Sequence, residues 1–170
     1  FLMAKNMAYR KQPDKAIDKI MSIGEKNLDV EMLKHVFVWS LVCRVQDIKY
    51  ILNLLEQSGN MIIYKTCLQH YYVFLGNTDT VFSKQDPHEK ILQVSMQLLS
   101  ELLKMQEFEL FERQLNVLNY IESKNVLLQL GKLYYNHGFM NMAVKEILRS
   151  VKELDAIYRE VIDILYKEFK

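Results

Sequence analysis

The chain has 170 residues, half of them hydrophobic, with five Gly, two Pro and a formal net charge of +1. This length suffices for one domain with a sizeable core, and so little Gly and Pro beside so much apolar sequence favours long helices with short turns over disorder. Balanced charge carries no signature of nucleic acid, and no apolar run reaches the roughly 18 residues of a membrane span, so neither is an expected partner.

Residues 1–11 read as a helix with Leu2, Ala4, Met7 and Ala8 among its small or apolar positions. The chain opens on Phe1, already in helical pattern and without a signal peptide, which predicts a fragment of a longer protein. Gln12-Pro13-Asp14 breaks the helix, because Pro has no N–H to donate and biases the residue before it away from helix. Residues 14–26 resume with Ala16, Ile20 and Ile23, and Ala16 follows Ala4 by twelve residues. Asp29 is placed to cap the next helix. That helix runs to about Cys43 and is apolar nearly all round through Val36, Phe37, Val38, Trp39, Leu41 and Val42, the mark of a central element. Arg44 to Asp47 turns the chain into residues 48–57, with Ile48, Ile51, Leu52 and Leu55 inward, and Ser58-Gly59-Asn60 ends that hairpin.

A helix over 61–75, carrying Leu68, Tyr71, Tyr72 and Leu75, is stopped by Gly76-Asn77. Residues 76–87 are the one irregular section, read as a degenerate second helix, a binding loop or a hinge. Asp86-Pro87-His88-Glu89 reads as a helix start, with Asp86 as cap, Pro87 in the first helical position and Glu89 completing a capping box. Residues 88–104 follow with Ile91, Val94, Leu98, Leu99 and Leu102 inward. Met105-Gln106-Glu107 then turns the chain into 108–121, with Phe108, Phe111, Leu115 and Leu118 inward.

Leu127, Leu130 and Tyr134 fall at i, i+3 and i+7, one face of a helix. Gly131 sits beside that face, where a missing side chain admits a neighbouring helix. Asn136-His137-Gly138 ends the helix, with Gly138 free to take the left-handed conformation. Ala143, Ile147, Leu148 and Val151 form the apolar face of the next helix, and Ala143 lies twelve residues after Gly131, so two small residues meet where the helices pack. A last helix over 156–168 would cover the final apolar face.

The run Leu127-x2-Leu130-Gly131-x2-Tyr134, then Ala143-x3-Ile147, resembles the tetratricopeptide repeat, with Leu127 in place of the family's Trp, Ile147 in place of its Phe and Asp155 near the expected Pro. The resemblance covers about residues 124–155; the other hairpins keep only its period and its small residues. It implies an all-α fold of antiparallel helical hairpins stacked as a tetratricopeptide-like superhelix of about eight or nine helices. The repeats would span 1–27, 29–58, 60–86 (degenerate), 88–121 and 124–155, with a closing helix 156–168, in a single domain over 1–170. A globular up-down bundle is the structural alternative.

No nucleotide-binding glycine loop, zinc-protease helix or hydrolase elbow occurs. Cys67 and His70 (i, i+3) and Glu31 and His35 (i, i+4) each offer two ligands where a metal needs three or four. Nothing in the spacing of Ser, Cys, His and acids selects a triad. Neither metal, cofactor nor catalysis is expected of this segment. Cys43 and Cys67 lie in apolar helical runs and read as free buried thiols of a cytoplasmic protein.

The tetratricopeptide resemblance implies instead a groove for a protein or peptide ligand, lined by the first helix of each hairpin. Its residues would be Asn125, Leu128, Lys132, Tyr135 and Asn136 in the best repeat, Thr66, His70 and Val73 on the helix before Gly76, and Lys5 and Tyr9 on the first helix. Lys132 and Asn136 partly echo the Lys/Asn clamp of chaperone-binding members. The expected function is binding or scaffolding without chemistry. The run Leu133-Tyr134-Tyr135 through Gly138 to Ala143 also looks like the helical tails of bacterial family 2 glycosyltransferases, which implies a module attached to such an enzyme. The alternatives are the peptide-sensing domain of a bacterial quorum-sensing regulator and a homo-oligomerisation module using Val36–Val42.

Overall fold

Each break in the hydrophobic pattern becomes a helix end in the computed structural model, which describes residues 1–152 together with 166 and 167. Among the described residues the chain is all-α, with nine α-helices, three short 3-10 turns and no strand. No described helix is long and apolar enough to cross a membrane. Where the sequence suggests one continuous domain, the chain divides into two compact units, Phe1–Glu122 and Ser123–Lys170. Apart from residues 166 and 167, the expected closing helix lies outside the described residues, as do Asp155 and the side chains of Leu148 and Val151.

The first unit holds α1 (Leu2–Tyr9), α2 (Pro13–Met21), α3 (Val30–Cys43), α4 (Ile48–Gln57), α5 (Met61–Phe74), α6 (His88–Lys104) and α7 (Phe108–Gln114). Pro13 takes the first turn of α2, where its missing N–H costs nothing. Asp29 caps α3 as expected, its Oδ1 accepting from the Met32 amide at 2.8 Å, and Asn60 does the same for α5 through the Ile63 amide at 3.2 Å. The α3 helix packs on α2, α4, α5 and α6, and Val36, Phe37 and Trp39 are wholly buried. Each such side chain contributes about 1.5–3 kcal/mol of burial. Because Val36 to Leu41 are consumed by this core, the face proposed for self-association is not open to a second copy.

Asp86 does not cap α6. Pro87 occupies the cap position, and the Asp86 carboxylate turns back to accept from the Ser83 amide at 2.8 Å and from Lys65 Nζ at 3.1 Å. The helix expected over 108–121 is α only to Gln114 and continues as a 3-10 turn over Leu115–Tyr120.

Residues 76–87 form no second helix; they are a non-helical loop pinned to the core. Gln69, fully buried on α5, donates from Nε2 to the Asp79 carbonyl (3.1 Å), and its Oε1 accepts from the Val81 amide (2.9 Å) and the Thr80 hydroxyl (3.3 Å). Phe82 is buried beneath the loop. The His88 ring packs edge-on to Phe82; its Nε2–H donates to the Ser83 carbonyl (2.8 Å), and its Nδ1 accepts from the Glu122 amide (2.9 Å).

Several helices end by one device. The residue after the C-cap takes positive φ (Lys11, Gly76, Gln106 and Gly138 after α1, α5, α6 and the helix Val126–Asn136). The next amide then reaches back to a carbonyl five residues earlier: Gln12 to Met7, Asn77 to Tyr72, Glu107 to Leu102 and Phe139 to Tyr134, each at 2.9–3.0 Å. This is the Schellman closure, which satisfies carbonyls a bare helix end leaves unpaired. Gln106 and Gly138 are thirty-two residues apart.

The second unit is a hairpin of α8 (Val126–Asn136) and α9 (Met140–Lys152). The close approach expected at Gly131 is present. A Cβ there would lie 2.6 Å from Ile147 Cγ1 and 3.2 Å from the Ala143 carbonyl oxygen, and Ala143 is buried.

Gln106→Gly is expected to stabilise the protein by about 0.5–1 kcal/mol, since it relieves left-handed strain at a small cost in unfolded-chain entropy; urea denaturation measures it. Gly131→Val is expected to cost about 2–3 kcal/mol by overpacking against the α9 backbone, seen as a lower urea midpoint at unchanged slope.

Candidate functional site

The groove residues expected from sequence separate into two groups. Asn125, Lys132, Tyr135 and Asn136 are exposed along α8, with Leu128 half-buried beside them. Lys5 and Tyr9 are half-buried on α1, where Lys5 Nζ sits 4.4 Å over the Phe1 ring and the Tyr9 hydroxyl donates to Glu101 Oε2 at 3.0 Å. Thr66 and His70, however, are 0% and 1% exposed, inside the first unit. No partner can reach them. Aligning α5 on Gly76 assumes a following helix; here α6 and α7 pack on α5 instead, and that face is interior. Val73 remains half-buried at the edge.

Most buried polar side chains of this unit are engaged with one another or with backbone; Ser40 Oγ and Gln114 Nε2 are the buried side-chain atoms without a partner among the described residues. His70 Nδ1–H donates to Gln114 Oε1 (2.9 Å) and its Nε2 accepts from the Ser95 hydroxyl (2.8 Å). Burial pushes its pKa down from 6.5 to about 4, with the Gln114 bond opposing, so the ring is neutral. With both nitrogens spent, it is no ligand partner for Cys67, whose thiol is pushed up by burial. The Thr66 hydroxyl donates to the Ile62 carbonyl at 2.6 Å. Glu101, on α6, gathers α1 and α3: its Oε1 accepts from Trp39 Nε1 at 2.9 Å, opposite the Tyr9 bond, and His35 Nε2 lies 3.6 Å from its Oε2. Burial first, then Glu101, pushes the Tyr9 phenol up. His35 Nδ1 donates to the Glu31 carbonyl (2.7 Å), while the Glu31 carboxylate pairs with Lys34 (2.8 Å); these two do not converge on a metal position. Cys43 corrects the expectation of two buried thiols, since it is exposed at the end of α3.

A groove of ≈ 340 Å³ opens between α4 and α5. Tyr64, Leu68 and Tyr72 of α5 face Lys49, Asn53 and Glu56 of α4, over a floor of Leu52 and Tyr71. Spacings of i, i+4, i+8 on one helix and i, i+4, i+7 on the other put each set on a single face. Partial burial first, and then the neighbouring Glu56 carboxylate, raise the phenol pKa of Tyr64. Tyrosines offer broad contact area at low entropic cost with a hydroxyl at the tip, beside an amide and both signs of charge. Sequence reasoning missed this face of α5. It is the face left once Ile63, Cys67 and His70 are assigned inward, which the spacing of Tyr64, Leu68 and Tyr72 alone does not decide. No family model matches the chain, and no curated protein or solved structure matches it either.

The His70 environment makes stability pH-dependent. A neutral buried ring is lost to protonation more readily in the unfolded chain, so its contribution is intact above about pH 6.5 and falls as pH drops towards 4, by an amount on the order of 3 kcal/mol. His70→Gln is expected to flatten that slope between pH 6.5 and 4.5 in urea denaturation series, relative to the parent chain.

Proposed function

We propose that the protein is a peptide-binding module without catalysis of its own, with the α4–α5 groove as its principal seat. The observation that carries the reading is the row Tyr64, Leu68 and Tyr72 set against Lys49, Asn53 and Glu56 across an open groove. This composition suits an extended or helical peptide: aromatic rings for apolar side chains, an amide for the main chain, and charges to set register. The histidines His35, His70 and His88 are occupied in structural hydrogen bonds, which favours binding over acid–base chemistry. Resemblance of residues 124–155 to a tetratricopeptide repeat belongs to the same reading. The contact of Gly131 with α9 and the thirty-two-residue spacing of Gln106 and Gly138 support it. On that resemblance, the exposed row Lys132, Tyr135 and Asn136 on α8 is a second seat of similar chemistry. Free thiols at Cys43 and Cys67 suit a cytoplasmic setting.

A displayed random-peptide library panned on the protein tests this directly. Enriched peptides are expected to shift amide resonances along α4 and α5, and Tyr72→Ala is expected to weaken them about 10-fold or more. No enrichment, or peptides that bind Tyr64→Ala and Tyr72→Ala variants as tightly as the parent, would sink the reading.

A further inference from the structure

The other side of the C-terminal end of α5 carries a second opening, of ≈ 290 Å³, whose lining holds no charged side chain. Three asparagines, Asn77, Asn116 and Asn119, meet there with Thr78 and Tyr120 over Val73. Its hydrogen-bonding capacity is already sorted. Asn77 Oδ1 accepts from the Asp79 amide at 2.8 Å, which leaves the Nδ2 donors for a ligand. Asn116 Nδ2 donates to the Arg113 carbonyl at 3.0 Å, which leaves Oδ1 as an acceptor. Asn119 is exposed and presents a whole amide. The Tyr120 hydroxyl donates to the Thr78 carbonyl at 3.3 Å, fixing the ring across the opening.

The wall is prebuilt. The loop after Asn77 is held from within by the wholly buried Gln69, whose side chain is spent on the backbone of Asp79 and Val81. A site held by such internal bonds loses little entropy on filling. The guanidinium of Arg113, three residues before Asn116, is engaged elsewhere: its Nη2 donates to the Phe74 carbonyl at 2.9 Å, and it stacks 5.2 Å from the Phe74 ring. A phosphate or carboxylate would meet no counter-charge here, and an ammonium no carboxylate, so a charged ligand would go uncompensated. Neighbouring hydroxyls, which each donate and accept, match an amide donor beside an amide acceptor. The C–H face of a sugar ring matches Tyr120 and Val73.

We propose that this pocket binds a neutral, hydroxyl-rich ligand of the saccharide class, held by Asn77, Asn116 and Asn119 against Tyr120. The site is separate from the α4–α5 groove and does not depend on the peptide reading. The test is saturation-transfer NMR of the whole chain with a panel of neutral mono- and disaccharides, read together with the side-chain amide resonances of the three asparagines. Transfer to at least one sugar is expected, with those amides shifting. Asn119→Ala, at an exposed position, is expected to weaken binding about 10-fold with an unchanged circular-dichroism spectrum, while Asn53→Ala in the other groove leaves it intact. The proposal is overturned if no sugar of the panel receives transfer. It is equally overturned if transfer survives both Asn116→Ala and Asn119→Ala, or if inorganic phosphate, acetate or a neutral tripeptide shifts the amides and no sugar does.

Discussion

The arrangement of the first unit depends on a row of polar side chains that α5 buries. Thr66, Gln69 and His70 stand at one interior face, each essentially without solvent contact. An unsatisfied buried donor or acceptor costs on the order of 1–3 kcal/mol, a large share of the net stability of a small domain. Every one of these groups must therefore be met by something fixed. Thr66 turns to its own helix. His70 demands one acceptor and one donor, which draws Gln114 of α7 and Ser95 of α6 to opposite edges of its ring. Gln69 demands backbone, and takes it from Asp79 and Val81. Apolar contacts alone tolerate sliding between helices; these bonds do not, and they set the register of α6 and α7 against α5.

This constraint also creates the surface features. Because Gln69 captures the chain just after α5, residues 78–81 run as a non-helical wall and not as the second helix of a hairpin. The amide-rich pocket lies against that wall. Because the polar row faces inward, the rotation of α5 is settled, and Tyr64, Leu68 and Tyr72 are turned towards α4. Both openings thus follow from the orientation of one helix. Elsewhere Glu101 acts similarly, holding Trp39 of α3 and Tyr9 of α1 through its two oxygens.

Local signals in the sequence were the readable ones. The Asp29 cap, the helix break at Gln12-Pro13, and the meeting of Gly131 with α9 near Ala143 each depend on a few neighbouring residues and one stereochemical rule. What escaped depends on competition between distant groups. Asp86 has the position of a cap, but the Ser83 amide and then Lys65 offer its carboxylate a better site, and they hold its pKa low. Residues 115–120 keep helical spacing yet tighten to a 3-10 turn before Ile121. Aligning α5 on Gly76 as the first helix of a repeat places Thr66 and His70 in a groove; nothing nearby in sequence announces Ser95 and Gln114 as the neighbours of His70. The apolar run Val36–Leu41, by contrast, has no polar face to show, and its burial was readable from that alone.

A hairpin pattern constrains the side chains at which its two helices touch and leaves the rest free. In the second unit this is plain: Leu130, Gly131, Leu133, Tyr134 and Ala143 are buried, while Lys132, Tyr135 and Asn136 share α8 without serving its packing. In the first unit the freedom appears where the pattern lapses. After α5 the chain has the same positive-φ helix ending as α1, α6 and α8, but no helix follows directly. A lapse filled by random coil would have left Gln69 unpaired and Phe82 in water. Instead the loop carries specific bonds to a buried glutamine and to Lys65 and His88, stronger anchoring than a mere connector needs. Anchored irregular segments with polar side chains to spare are where binding surfaces are commonly built, and residues 76–87 have both properties: a frame fixed by Gln69, Lys65 and His88, and exposed polar side chains at Asn77, Thr78 and Asp79.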